Sequence, residues 1–190
     1  ACALSDSAIV RVAVEVRGAV VEHDVRVLEL SATKGVFQNL VHDPVSFVNA
    51  PVLAEQRGVD ISLTTDMLSE DHKNLLTVAI TQTDGVTVCV SGTVAGARHQ
   101  AKVVELNGFD IDVPMSSHMV FFRYHDRPGV VGQVGNLLGN AQINIAGMQV
   151  SRDNDGHALM VLIVDSPLAH ELIDQITDDI GAHTGKAVAL

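Results

Sequence analysis

The chain has 190 residues, is 47% hydrophobic with a mean hydropathy of +0.26, and carries a formal net charge of −11. That length suits one domain or two small ones, and the apolar content excludes a disordered chain. The acidic balance excludes a polyanionic partner such as nucleic acid, and no apolar run of ~18 residues offers a helical membrane span.

The opening Ala1-Cys2-Ala3-Leu4-Ser5 starts without Met and lacks the basic and apolar regions of a signal peptide, which fits a processed or truncated chain. Cys2 and Cys89 are far apart and read as buried thiols or bystanders in a reducing cytoplasm. Val12, Val14 and Val16 alternate with Ala13 and Glu15, as in a strand with one polar face. Leu30, Val36, Phe37, Leu40 and Val41 fall at helical spacing over about 28–41, and Gly35 weakens that helix. A second helix is expected over 45–57, kinked or restarted at Pro51 and ended by Gly58. Strands follow at 60–65, 75–81, 86–94, 101–106 and 109–113. Asp84-Gly85 and Asn107-Gly108 signal type I′ hairpins, because Asp, Asn and Gly tolerate positive φ.

Pro114-Met115-Ser116-Ser117-His118 marks the boundary, giving domains 1–116 and 117–190. Beyond it come a strand at 119–125, a helix at 128–140 with Val130, Val131, Val134, Leu137 and Leu138 on one face, and a strand at 143–151. After an Asp153-Asn154-Asp155-Gly156 turn, 158–164 is wholly apolar and reads as a central strand. Ser166 is expected to N-cap a helix with Pro167 at its first position, apolar at Leu168, Leu172, Ile173, Ile176 and Ile180 and ended by Gly181. A last strand is expected at 186–190. The class is α+β: a mixed sheet with two or more helices, then a ferredoxin-like βαββαβ unit.

The stretch that carries chemistry is Tyr124-His125-Asp126-Arg127-Pro128-Gly129-Val130-Val131-Gly132, a strand end, a turn and a helix start. Free N–H groups at a helix N-terminus favour an anion such as a carboxylate, and Gly129 allows close approach to that backbone. Asp126 either pairs with an ammonium group or caps the helix. Asn144, expected to converge on the same spot, adds an amide that donates and accepts. Together these groups match the head of a free amino acid. Gly129, Gly132, Gly135 and Gly139 line one flank of the helix, open to a ligand or a partner subunit, or simply a weak helix. GxGxxG, GxSxG, HxH and HExxH are absent, so neither catalytic residues nor a metal site is expected from the nine scattered histidines.

Arg123–Gly132, Leu137-Leu138-Gly139 and Ile143–Val150 resemble an ACT domain, and more narrowly that of the D-3-phosphoglycerate dehydrogenases. Leu30–Phe37, Phe47–Pro51, Ser91-Gly92-Thr93 and Val104–Gly108 resemble the intervening domain of the long-form enzymes, and similar domains occur in a subunit of iron–sulfur L-serine dehydratase. The resemblance implies that L-serine binds between paired ACT domains and inhibits allosterically. Its contacts would be Tyr124, Asp126 and Asn144, with the backbone of Pro128, Gly129, Val130 and Val131. It implies a homo-oligomer, dimer or tetramer, paired edge to edge through ACT sheets. It also implies a cytoplasmic parent enzyme whose catalytic and NAD domains lie upstream of Ala1, with no cofactor in this chain. The anion pocket of some relatives is depleted: Lys102 matches, with Arg98 and His99 beside it as a residual anion site, but Phe109, Asp110, Pro114 and Val164 replace its other basic groups. The competing readings are a ligand-free oligomerisation module and an independent enzyme.

Overall fold

The computed structural model describes residues 4, 7–38, 40, 41 and 44–189; Cys2, His42 and Leu190 lie outside the described residues. The chain divides into two compact units, residues 1–107 and 108–190.

In the first unit, Ile9–Gly18 forms β1, whose Val12, Val14 and Val16 are buried as alternation requires. Helix α1 spans Arg26–Gln38 and buries Thr33, Val36 and Phe37; α2 spans Ala50–Gln56. The second helix is shorter than the expected 45–57. Pro51 stands in its first turn, where a missing N–H costs nothing, and Ser46 and Asn49 satisfy each other in a turn before it. Strands β2 (Asp60–Asp66), β3 (Asn74–Gln82), β4 (Thr87–Ala95) and β5 (Gln100–Leu106) follow, and β6 (Phe109–Pro114), which falls within residues 108–190, is the last strand of the same sheet. The mixed sheet has the order β2-β1-β3-β4-β5-β6, with β1 parallel to β2 and antiparallel to β3.

The two expected hairpin turns differ. Asn107 and Gly108 both have positive φ, 50° and 82°, as a type I′ turn needs. At Asp84-Gly85 only Gly85 is left-handed, at 84°. There the Gly85 amide donates to the Gln82 carbonyl (3.0 Å), and the Asp84 carboxylate accepts from the Val86 amide (2.9 Å). That local bond holds Asp84 out of the left-handed region and gives a longer turn.

The second unit contains β7 (His118–His125), α3 (Val130–Asn140), β8 (Ile145–Arg152), β9 (His157–Val164), α4 (His170–Ile180) and β10 (Ala182–Ala189). With sheet order β10-β7-β9-β8, this is the expected βαββαβ pattern. The apolar β9 is central, and Ala158 to Leu162 are all buried. Val120, Phe122 and Tyr124 meet Val130, Val134 and Leu138 from α3 and Ile173, Ile176 and Ile180 from α4. Each such aliphatic burial stabilises the fold by ~1.5–3 kcal/mol.

Three expectations fail locally. Val131 is 46% exposed, because Val130, Val134 and Leu138 hold the core face of α3, with Leu137 packed at its edge. Ser166 does not cap α4: its hydroxyl donates to Asp165 (3.1 Å), and the N-cap is Ala169 with no side-chain bond. Pro167 and Leu168 stay outside the helix, where Leu168 packs against the core. The last strand begins at Ala182, because Gly181 takes a left-handed C-cap (φ 60°) and turns the chain straight back into the sheet.

Candidate functional site

Strand β7 delivers Tyr124, His125 and Asp126 to the start of α3. Gly129 is its N-cap in a left-handed conformation (φ 93°), and no side chain caps the helix. The first-turn amides therefore keep their anion-binding capacity. A Cβ built on Gly129, Gly132, Gly135 or Gly139 would meet nothing within 4 Å, so the glycine flank is open. Pro128, Gly129 and Val131 are exposed and Val130 is buried.

Asp126 is not the cap. Its amide donates to the Gly156 carbonyl (2.9 Å), and its carboxylate accepts from Arg152 Nε at 2.5 Å. Arg152, at the end of β8, is a partner of Asp126 that sequence reasoning missed. Only the register reveals it, since Arg152 pairs with Ala158, which pairs with Tyr124. Arg127 donates to the Ile180 carbonyl (3.0 Å) and so stabilises the C-terminus of α4. Tyr124 is 1% exposed, within the core. Burial, then the Asp126 carboxylate, pushes its phenol above the ordinary value, so it remains a donor.

Asn144 is exposed and precedes β8. Its backbone N–H donates to the Asp165 carboxylate and its backbone carbonyl accepts from the Asp165 backbone N–H, both at 3.2 Å. The expected convergence with Asp126 does not occur within one chain. Ile145 pairs with Val164, at the end of β9 where Ile163 meets Met119, whereas Tyr124 meets Ala158 at the other end. The length of β9, ~20 Å at 3.3 Å per residue, lies between them.

In the first unit, Lys102 sits on β5 opposite Thr93, with exposed Arg98 and His99 in the preceding turn, where His99 has φ 50°. A cleft of about 320 Å³ in that unit is lined instead by Glu29, Thr33, Glu55 and Asp60 among apolar groups, which suits no anion. Burial, then Glu105 and Glu15, raises the Cys89 thiol, so it stays protonated. No helix of the described residues is long and apolar enough to cross a membrane.

One assembly went unforeseen. His125, His157 and His183, remote in sequence, come together where β7, β9 and β10 meet. No short motif announces them; pairing of His125 with His157 and a register shift at His183 do the work.

The family described as D-3-phosphoglycerate dehydrogenase intervening domain matches residues 1–107, and the ACT domain family matches 118–181. A D-3-phosphoglycerate dehydrogenase of Mycobacterium leprae is 35% identical over 189 residues, covering 99% of this chain and 36% of that protein. Its counterpart in Mycobacterium tuberculosis H37Rv is 36% identical over 97% of this chain and 34% of its own length. One from Synechocystis is 32% identical over 86% of this chain and 29% of its own length. The chain thus spans about a third of the length of these relatives.

Proposed function

We propose, from the premise that this chain belongs to the D-3-phosphoglycerate dehydrogenase family through its intervening and ACT domains, that it is the regulatory part of such an enzyme. Its ACT unit binds L-serine between two copies for feedback inhibition of an NAD-dependent, cytoplasmic parent. The observation that carries this reading is the uncapped start of α3 at Gly129, beside the Asp126 carboxylate. The amides receive the ligand carboxylate, Asp126 exchanges Arg152 for the ammonium group, and the Tyr124 phenol supports the site from the core.

The distance of Asn144 from Asp126 supports sharing between chains. Strand β8 is an edge, and a two-fold axis pairing two β8 edges antiparallel sets the start of one beside the end of the other. Asn144 of the partner subunit then faces the Asp126–Arg152 end. A domain boundary at 116/117 draws on β6 being the last strand of the first sheet, while the compact units divide at 107/108.

Calorimetry with L-serine tests the proposal. Asp126→Ala and Asn144→Ala should each abolish binding. A mixture of the two should recover it, because each heterodimer rebuilds one intact site. No heat with either the unmodified dimer or the mixture rejects the reading and leaves the ligand-free oligomerisation module, which the open glycine flank of α3 favours. For the parent enzyme, serine inhibition unchanged by Asn144→Ala would refute the regulatory assignment.

A further inference from the structure

His125 ends β7, His157 opens β9 and His183 is the second residue of β10. His125 and His157 are direct cross-strand partners, with stacked rings 4.6 Å apart. The β7–β10 register shifts between Ala182 and Thr184, so His183 is the additional residue of a bulge, a device that re-aims a side chain. Its ring lies 4.8 Å from that of His125 and 5.4 Å from that of His157.

We propose that His125, His157 and His183 bind a divalent transition-metal ion of the zinc class, with a fourth position open to water or an exogenous ligand. One ligand nitrogen from each ring falls within 4.8 Å of the others. Three imidazoles on a tetrahedral ion at 2.0–2.1 Å need donors about 3.4 Å apart, so side-chain rotation of roughly an ångström closes the set. All-imidazole ligation selects zinc, cobalt, nickel or copper over calcium and magnesium, which require oxygen donors.

The surroundings fit a metal-ligating histidine. Nδ1 of His157 is buried without a hydrogen bond, yet lies 3.2 Å from the Asp153 carboxylate. That leaves Nε2 as the donor, with Asp153 as the carboxylate that orients the ring. Asp153 is itself fixed, accepting from the Asp155 and His157 amides at 2.9 and 2.7 Å. His125 and His183 are exposed, so an ion can reach the site.

Titration of the chelator-stripped, 190-residue chain with Co²⁺ tests the assignment. One equivalent should bind per chain, with the intense visible bands of four-coordinate cobalt, and Zn²⁺ should displace it. His125→Gln and His183→Gln, both at exposed positions, should abolish those bands, and Asp153→Asn should weaken binding about 10-fold. His170→Gln, at the far end of the same unit, should change nothing. Absence of the bands, or histidine variants that titrate like the unmodified protein, would overturn the proposal. Circular dichroism of each variant separates lost ligation from lost fold.

Discussion

The two ends of the four-stranded sheet carry different chemistry. At one end Asp126, Arg127, Arg152 and three histidines surround the start of α3 and the finish of α4. At the other, Asn144 and Asp165 exchange hydrogen bonds, and a groove of about 170 Å³ runs past Met119, Leu168, Ile173 and Val188. The direction of the helices produces the difference. Helix α3 presents its free amides to the first end, and α4 presents its free carbonyls there, so opposite partial charges lie side by side and call for ionic side chains. A ligand that needs groups from both ends must collect them from two chains.

Both ends rest on one core, so the largest effects are expected from changes there. A Cβ on Gly185 would sit 2.2 Å from Thr177 Oγ1 and 2.8 Å from a Phe122 ring carbon. Gly185→Ala is expected to destabilise the second unit by about 2 kcal/mol, since α4 or the ring must move. In thermal unfolding followed by hydrogen exchange, amides at both ends should lose protection together. If only one end loosens, the two ends are independent and do not share a core.

A smaller change acts at one end alone. Arg127→Ala removes the donor to the Ile180 carbonyl and should cost about 1 kcal/mol, with faster exchange confined to the last turn of α4 and the start of β10. The Asn144–Asp165 end should be unmoved. Arg152→Gln comes next. Its bond to Asp126 is short, but Arg152 is 66% exposed, so solvent screening limits the loss to about 0.5 kcal/mol or less. Its effect on serine binding should exceed its effect on melting, and the reverse result would make the pair merely structural.

Much of this architecture was legible because local signals agreed. In the second unit, the continuous apolar run of β9, the 3.6-residue stripe of α4 and Gly181 at its end all gave the right element. The start of α4 misled, since Ser and Pro next to an apolar stripe look the same whether they cap a helix or lead into it, whereas at α2 the restart expected at Pro51 is where the helix begins. The polar groups were legible one strand at a time and illegible across strands. Asp126 was read as a carboxylate beside the start of α3, but Arg152, 26 positions away, meets it only through the β8–β9–β7 register. The same holds for the histidines, whose convergence depends on a bulge that alternation does not reveal.

The smallest expected effect is a pH dependence that belongs to one end alone. Partial desolvation by the packed rings, then the charges of His125, His157 and Arg123, lowers the pKa of His183 even though it is exposed. The folded chain therefore resists a proton that the unfolded chain accepts near the ordinary histidine value, ~6.5. More protons bind the unfolded state as pH falls through that value, so stability is full above it and declines below it. The groups that set the slope are His125, His157, Arg123 and the Asp153 carboxylate beside His157. Burial alone would raise Asp153, but the His157 and Asp155 amides and the His157 ring hold it below the usual range, so it stays charged through this window. With metal removed by chelator, melting temperature should fall between pH 8 and pH 5, and His183→Gln should make that slope shallower. His170→Gln, at the opposite end, should leave the slope as it is. An equal change from both variants would mean that the acid response comes from net charge, not from the crowded end of the sheet.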